Sequence, residues 1–460
     1  MIGSNHRYRS VIEDVRWPAI LSNRGAHLLA LLDQMRFSEV LTQAAMCELQ
    51  VEQAGALLRH AVASVPFYRG RERQYHLPST CLTAEAFRQL PLLDRATIQQ
   101  QGVAMYSEGV PSSHGKLLER HTSGSTGRPL RCIGTDLTSL IWDAQTLRDH
   151  LWHQRDFSLK LAVIRTQMDR RRESRWAGSA GEVFETGLSA SLDIATDLEE
   201  QLNWLVAENP AYLLTHPSNL GALAKLSLER GIRPTALRQA RTFGEALRDD
   251  LRDTVRRAWQ VNIADLYSSE ECGYMALQCP SGHHYHVQAE SVLIEVLDDS
   301  GKPCGPGETG RVVVTTLQNY AMPLVRYESG DYAEVGSSCS CGRTLPVLTR
   351  IHGRQRNMVM LPDGRSHWPS FPADMWLSVA PVEQFRLVQR DSMEIEINYV
   401  MSYEMADDEK KRLEDLLAAR FGYRFRFEWV RREAIPHGAN YKFEDFVSEL
   451  GMDGFKRSTR

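Results

Sequence analysis

The stretch His121-Thr122-Ser123-Gly124-Ser125-Thr126-Gly127-Arg128-Pro129 gathers hydroxyl side chains, two glycines and an arginine on a backbone able to bend around an anion. It has no Gly-Lys-Ser/Thr, so it is not a Walker A loop. A second constellation is Cys279-x6-His286 followed by Cys339-x-Cys341. Four soft and borderline ligands in two close pairs suit a tetrahedral Zn²⁺, and with all four positions filled by protein the metal would be structural rather than catalytic. His283 and His284 are substitutes for His286, and Cys272 for a fourth thiolate. The remaining cysteines, Cys47, Cys81, Cys132 and Cys304, have no partner pattern. Reduced cytosolic thiols beside a satisfied histidine would give the same letters. Arg165, Arg170, Arg171, Arg172 and Arg175 form a basic segment, which reads as a solvated face or as a contact for an anionic acceptor.

These groups need elements to hold them. Leu28, Leu29, Leu31, Leu32 and Met35, then Leu57, Leu58, Ala61 and Val62, repeat at helical spacing until Pro66 breaks the pattern. Leu247, Leu251 and Val255 share one face of a predicted helix over 246–259, and a strand is predicted at once over 261–267. Further strands are expected over 291–297 and 311–317, separated by a turn rich in glycine and proline. Beyond a punctuated stretch near 353–369, strand 393–400, helix 406–420 with Gly422 behind it, and strand 423–430 make a smaller module. The alternation predicts an α/β fold, divided into residues 1–353 and 354–460.

The chain has 460 residues, 42% of them apolar, and a net charge of −4. This is globular usage, with no sign of a nucleic-acid footprint, a membrane span or a secreted disulfide scaffold. The expectation is a cytoplasmic enzyme of several structural units; nothing in the letters sets its oligomeric state.

The 122–129 loop closely resembles the phosphate-binding loop Thr-Ser-Gly-Ser/Thr-Thr-Gly-Lys-Pro of the adenylate-forming superfamily. Other motifs follow in family order, from Val65-Pro66-Phe67-Tyr68 and Leu90-Pro91-Leu92-Leu93 to Lys442. The chain is thus similar to phenylacetate–CoA ligases and to their zinc-bearing subgroup. That resemblance implies a large multi-subdomain N-terminal α/β domain and a small mobile C-terminal α+β lid. It implies that Thr122, Ser123, Gly124, Ser125, Thr126 and Gly127 cradle the phosphates of ATP, and that Gly244 and Glu245 lie at the adenine. In Tyr267-Ser268-Ser269-Glu270-Glu271-Cys272-Gly273, which resembles Tyr-Gly-x-Thr-Glu-x-Gly, Tyr267 and Ser269 would bind nucleotide and Glu271 would hold Mg²⁺. Asp331 would accept from the ribose hydroxyls, Arg354 would touch the ribose at the hinge, and Lys442 would reach the carboxylate and α-phosphate.

Departures from the pattern are Ser268, Glu270 in place of threonine, Arg356-Asn357 in place of an acidic pair, and Tyr441 in place of glycine. The implied reaction is AMP-forming activation of a carboxylic acid, aryl or arylacetic in relatives, through an acyl-adenylate. Transfer to the thiol of CoA follows. An amine or carrier-protein acceptor, an unusual oxyacid, or binding without turnover remain alternatives at this stage.

Overall fold

The computed structural model describes residues 6–71, 73–75, 82–121, 130–354, 357–367, 369, 371, 373–435 and 444–450. The phosphate-loop residues 122–129, Cys81, Arg356, Tyr441 and Lys442 lie outside them. The described chain divides into two units, Met1–Ile351 and His352–Arg460.

In the first unit the alternating apolar patterns become a twelve-stranded sheet. Its parallel block runs Asn262–Ser269, Gln239–Phe243, Tyr212–Thr215, Leu161–Arg165 and Ser189–Asp193. Helices Leu198–Glu208, Pro217–Arg230 and Asp249–Trp259 connect these strands, as parallel pairing requires. Ile164, Leu213, Leu220, Val255 and Ile263 pack in the core between them. The predicted helix starts at Asp249 rather than 246, because the preceding residues leave the strand through a turn with Gly244 at φ +80°. Beyond Asn262–Ser269 the sheet continues with antiparallel neighbours Gly273–Gln278 and Tyr285–Val287. The opposite edge is the three-residue strand Arg171–Glu173, exposed throughout. Its residues are ion-paired: Arg171 with Glu173 at 3.3 Å and Arg172 with Glu208 at 2.7 Å, while neighbouring Arg170 meets Glu200 at 2.6 Å. That is the solvated, charged face of the basic segment, and a charged edge resists strand addition.

Helix Asp136–Trp152 is tied to the sheet by a buried charge cluster. Asp149 is 2.7 Å from both Arg155 and Arg241, the latter on strand Gln239–Phe243. Burial works against the Asp149 carboxylate, but the two guanidiniums hold its carboxyl well below the ordinary range. Burial keeps His153 neutral, its pKa lowered to about 4.

The second unit is an α+β module. Its four strands lie in the order Arg426–Arg431, Glu394–Val400, Gln384–Gln389 and Phe446–Ser448, covered by helix Asp407–Phe421. Glu409 accepts from the backbone of Ala406 at the start of that helix, and Gly422 ends it at φ +65°, where a left-handed residue closes the last turn. Ile395, Ile397, Leu413, Leu417 and Phe421 are fully buried beneath it. Among the described residues no helix is long and apolar enough to cross a membrane.

Asp149→Asn removes the anion between two buried arginines and should lower stability by about 3–5 kcal/mol in denaturant titration. The native carboxyl is depressed relative to the unfolded chain. The pair's contribution is therefore present above the unfolded value of about 4 and lost as pH falls below it, so the variant should show a shallower acid limb than the parent.

Candidate active site

Strand Asn262–Ser269 leaves the parallel block, and a tight turn returns the chain as Gly273–Gln278. Ser269 Oγ accepts from the Cys272 amide at 3.1 Å, and Gly273 takes φ +78°, a conformation that glycine adopts without strain. The turn presents two carboxylates in different surroundings. Glu271 is nearly enclosed, its side chain 7% exposed, with Arg95 at 3.5 Å and the Tyr327 hydroxyl donating from 3.4 Å. Burial, then the charge of Glu271, push the Tyr327 phenol far up, so it stays a donor. Glu270 is half exposed and lies 3.8 Å from Arg120, whose guanidinium sits 5.0 Å from the Trp142 ring. The substitution of glutamate for threonine is therefore matched by a neighbouring cation.

Arg95 reaches Glu271 because the Leu90–Leu93 motif docks against the strand Tyr327–Val335. Leu93 pairs with Tyr327, its amide donating to Arg326 O at 2.9 Å and its carbonyl accepting from Glu328 at 2.8 Å. Asp94 then caps helix Arg95–Gln101 by accepting from Thr97. Arg326 locks this docking. Buried and at φ +50°, it forks onto Glu295 at 2.9 and 3.0 Å and donates to the carbonyls of Arg88 and Leu90.

The same strand carries Asp331, which accepts from the Tyr267 hydroxyl at 2.8 Å. The structure thus joins Tyr267 to Asp331, and Glu271 to Tyr327, at one end of the sheet. Burial and the Asp331 charge raise the Tyr267 phenol, which keeps it protonated. The Glu245 carboxylate accepts from the amide and hydroxyl of Ser218 at 2.8 and 2.9 Å, in the first turn of helix Pro217–Arg230, where an anion is favoured. Gly244 forms the turn before it. Arg354 ends the strand Val347–Arg354.

Both carboxylates border a cleft walled by Trp142, Ile133 and Gln145, with Ser291, Gln318 and Asn319 behind. The cleft is open to solvent and offers about 60 Å³ to water centres. Arg95, Arg120, Gln145, Gln318 and Tyr327 were not singled out from the letters. Only Tyr327 carried a signal, lying inside the motif around Asp331.

The cysteine–histidine set also assembles. Donor atoms of Cys279, His284, His286 and Cys339 lie within 4.8 Å of one another. The Cys279 and Cys339 sulfurs are 3.8 Å apart, the separation that a tetrahedral ion about 2.3 Å from each sulfur would impose. His284 Nε2 is 3.0 Å from the Cys339 sulfur, whereas Cys341 stands 3.3 Å from His286 Nε2 and outside the four-donor group. Burial lowers His286 to about 4 and raises Cys279 to about 12, so the imidazole is the neutral form that metals bind. The donor chemistry fits a structural Zn²⁺. From the Cys341 loop, Arg343 stacks 4.2 Å over Trp152 and donates to Glu39, which also accepts from Trp152. Glu39 in turn meets Arg148, the buried partner of Glu290.

No family model matches the chain. The chain is 31% identical to a phenylacetate–coenzyme A ligase of Thermus thermophilus over 170 residues, 35% of this chain and 38% of that one, so this match spans about two fifths of the relative. A phenylacetate–coenzyme A ligase of Pseudomonas putida is 24% identical over 417 residues, covering 84% of this chain and 88% of its own. Among solved structures, 2-hydroxyisobutyryl-CoA ligase in the postadenylation state, in complex with 2-HIB-AMP, superposes with a TM-score of 0.72 at 19% identity. That match covers 92% of this chain and 93% of the other. The likeness to this solved structure shows the fold, a mixed α/β architecture matched over nearly the whole length, and in sequence the chain is similar to phenylacetate–coenzyme A ligases.

Proposed function

We propose that the chain is an acid–CoA ligase that activates a carboxylic acid, aromatic by analogy with the named relatives, through an acyl-adenylate. The observation that carries this reading is Glu271: a nearly enclosed carboxylate at the end of strand Asn262–Ser269, steadied by Arg95 and Tyr327 and bordering the cleft. Open α/β sheets bind ligands beyond the carboxyl ends of their strands. One carboxylate shared with substrate phosphates suits Mg²⁺, which would supply charge neutralisation where the phosphates meet the acid. Asp331 offers a bidentate acceptor for the two ribose hydroxyls, and Tyr267 orients it. The loop residues Thr122 to Gly127 are assigned to the phosphates, Ser269, Gly244, Glu245 and Arg354 to the rest of the nucleotide. Glu245 acts through its helix rather than as a free carboxylate. Lys442 is assigned to the α-phosphate and acyl carboxylate.

The acid oxygen attacks the α-phosphorus, pyrophosphate leaves, and the CoA thiol then displaces AMP from the acyl carbon. Positioning and neutralisation are what such a transfer demands. The C-terminal module expected over residues 354–460 is assigned the role of a mobile lid that brings Lys442 and later exposes the acyl group to CoA. The reading carries a cytoplasmic setting, where ATP, CoA and reduced thiols coexist. Zn²⁺ is assigned a structural place, held by Cys279, His286 and Cys339 with His284 as fourth donor and Cys341 in reserve.

ATP–pyrophosphate exchange across a panel of aryl and arylacetic acids tests the first step, and mass spectrometry with and without CoA tests the second. Exchange without any CoA thioester would replace the ligase reading with transfer to an amine or carrier protein. Lys442→Ala and Glu271→Gln should each reduce exchange by about 10²–10³-fold with the fold intact by circular dichroism; an unchanged rate removes that residue from the mechanism. Metal analysis should return about one zinc per chain. Chelation should lower the melting temperature, whereas a metal-free protein with unaltered melting would overturn the zinc assignment.

A further inference from the structure

The cleft beside Glu271 has a polar wall whose hydrogen bonds can be counted. Gln145 lies on helix Asp136–Trp152 and is 1% exposed. Its amide nitrogen donates to Ser291 Oγ at 2.5 Å, and that hydroxyl donates onward to the Gln288 carbonyl at 3.1 Å. The Ser291 proton is thereby used, so the Gln145 group facing it must be the NH₂. Gln318 is held alike, its amide nitrogen donating to the carbonyl of Glu290. A carbonyl cannot donate, so this orientation is fixed too. Both glutamines are therefore tethered by their nitrogens to the consecutive residues Glu290 and Ser291. Their two amide oxygens accept from no described donor, and both residues line the cleft. The other amide there, Asn319, is spent: its nitrogen donates to Ile133 O, and its oxygen accepts from Ala321 and Met322.

Gln145 is buried and Gln318 half-buried, and acceptors on such a wall are best satisfied by a ligand that brings donors. We propose that Gln145 and Gln318 form a specificity subsite for an amino substituent on the acid. The two N–H bonds of an amino group meet the two oxygens, while a hydroxyl satisfies one and a methyl group neither. The aromatic wall at Trp142 suits a ring carrying that group. This deepens the proposed acid-activating function and rests on it for the identity of the cleft. A site built to bond a substrate N–H rejects the analogue that lacks it more strongly than an apolar pocket rejects an added group.

The test compares 2-, 3- and 4-aminobenzoate with the matching hydroxybenzoates, the matching methylbenzoates and benzoate itself, in wild type, Gln145→Leu and Gln318→Leu. In pyrophosphate exchange, the best aminobenzoate should exceed its methyl counterpart by at least tenfold in kcat/KM, with the hydroxy acid between. Each leucine variant should cut that ratio by about tenfold, and Gln145→Glu, which keeps an acceptor, should retain it. Equal rates for amino and methyl acids, or a ratio unchanged in both leucine variants, would overturn the subsite. Exchange absent with every acid would instead defeat the adenylation reading. Calorimetric binding of the same acids then decides the subsite alone: amino acids held tighter than methyl acids by wild type but not by the leucine variants supports it, and equal binding sinks it.

Discussion

The Arg326 side chain is the constraint on which the reacting end of the molecule depends. It is a buried cation in a left-handed backbone conformation, and neither condition persists without compensation. The compensation is a two-pronged pair with Glu295 and two backbone carbonyls from a segment more than two hundred residues earlier. Those carbonyls belong to Arg88 and Leu90, so satisfying the cation draws the following residues against Tyr327. The start of helix Arg95–Gln101 is then carried to Glu271. Removing the clamp would leave an unpaired buried charge and also release the Arg95 cation that steadies the Glu271 carboxylate.

Much of this was legible in the letters where pattern and period agree. The α/β alternation, the strand before Glu271, the C-terminal module and the end of its helix at Gly422 follow from apolar spacing and turn residues. The two carboxylates were visible as types, but their unequal surroundings were not. Arg95 is 176 residues from Glu271 and meets it only through strand docking, which no local window reports. The tie of the Glu245 carboxylate to the first turn of a helix that precedes it in sequence was equally invisible in the letters. The metal cluster shows the same limit. Three histidines stand within residues 283–286, and which of them turn inward is set by the pairing of Tyr285–Val287 with both neighbouring strands. Strand alternation points His284 and His286 to one side, which places both beside the thiols.

The cleft beside Glu271 and the cysteine–histidine cluster are joined by packed polar contacts rather than by chain proximity. Arg343 rests on Trp152 and Glu39, Glu39 meets Arg148, and Arg148 holds Glu290, whose backbone carbonyl tethers Gln318 at the cleft. A cation–π contact, ion pairs and hydrogen bonds in turn link this run, tying the wall of the cleft to the cluster.

The short charged strand at the far edge of the sheet bears on how the protein behaves in a crowd. Twelve hydrogen-bonded strands make a surface along which another chain could align, and the block from Leu161 to Ser269 is rich in apolar side chains. That growth is halted at Arg171, Arg172 and Glu173, where a second copy would have to bury like charges against like and break ion pairs already made. One edge of the twelve-stranded sheet is thus guarded by a strand only three residues long.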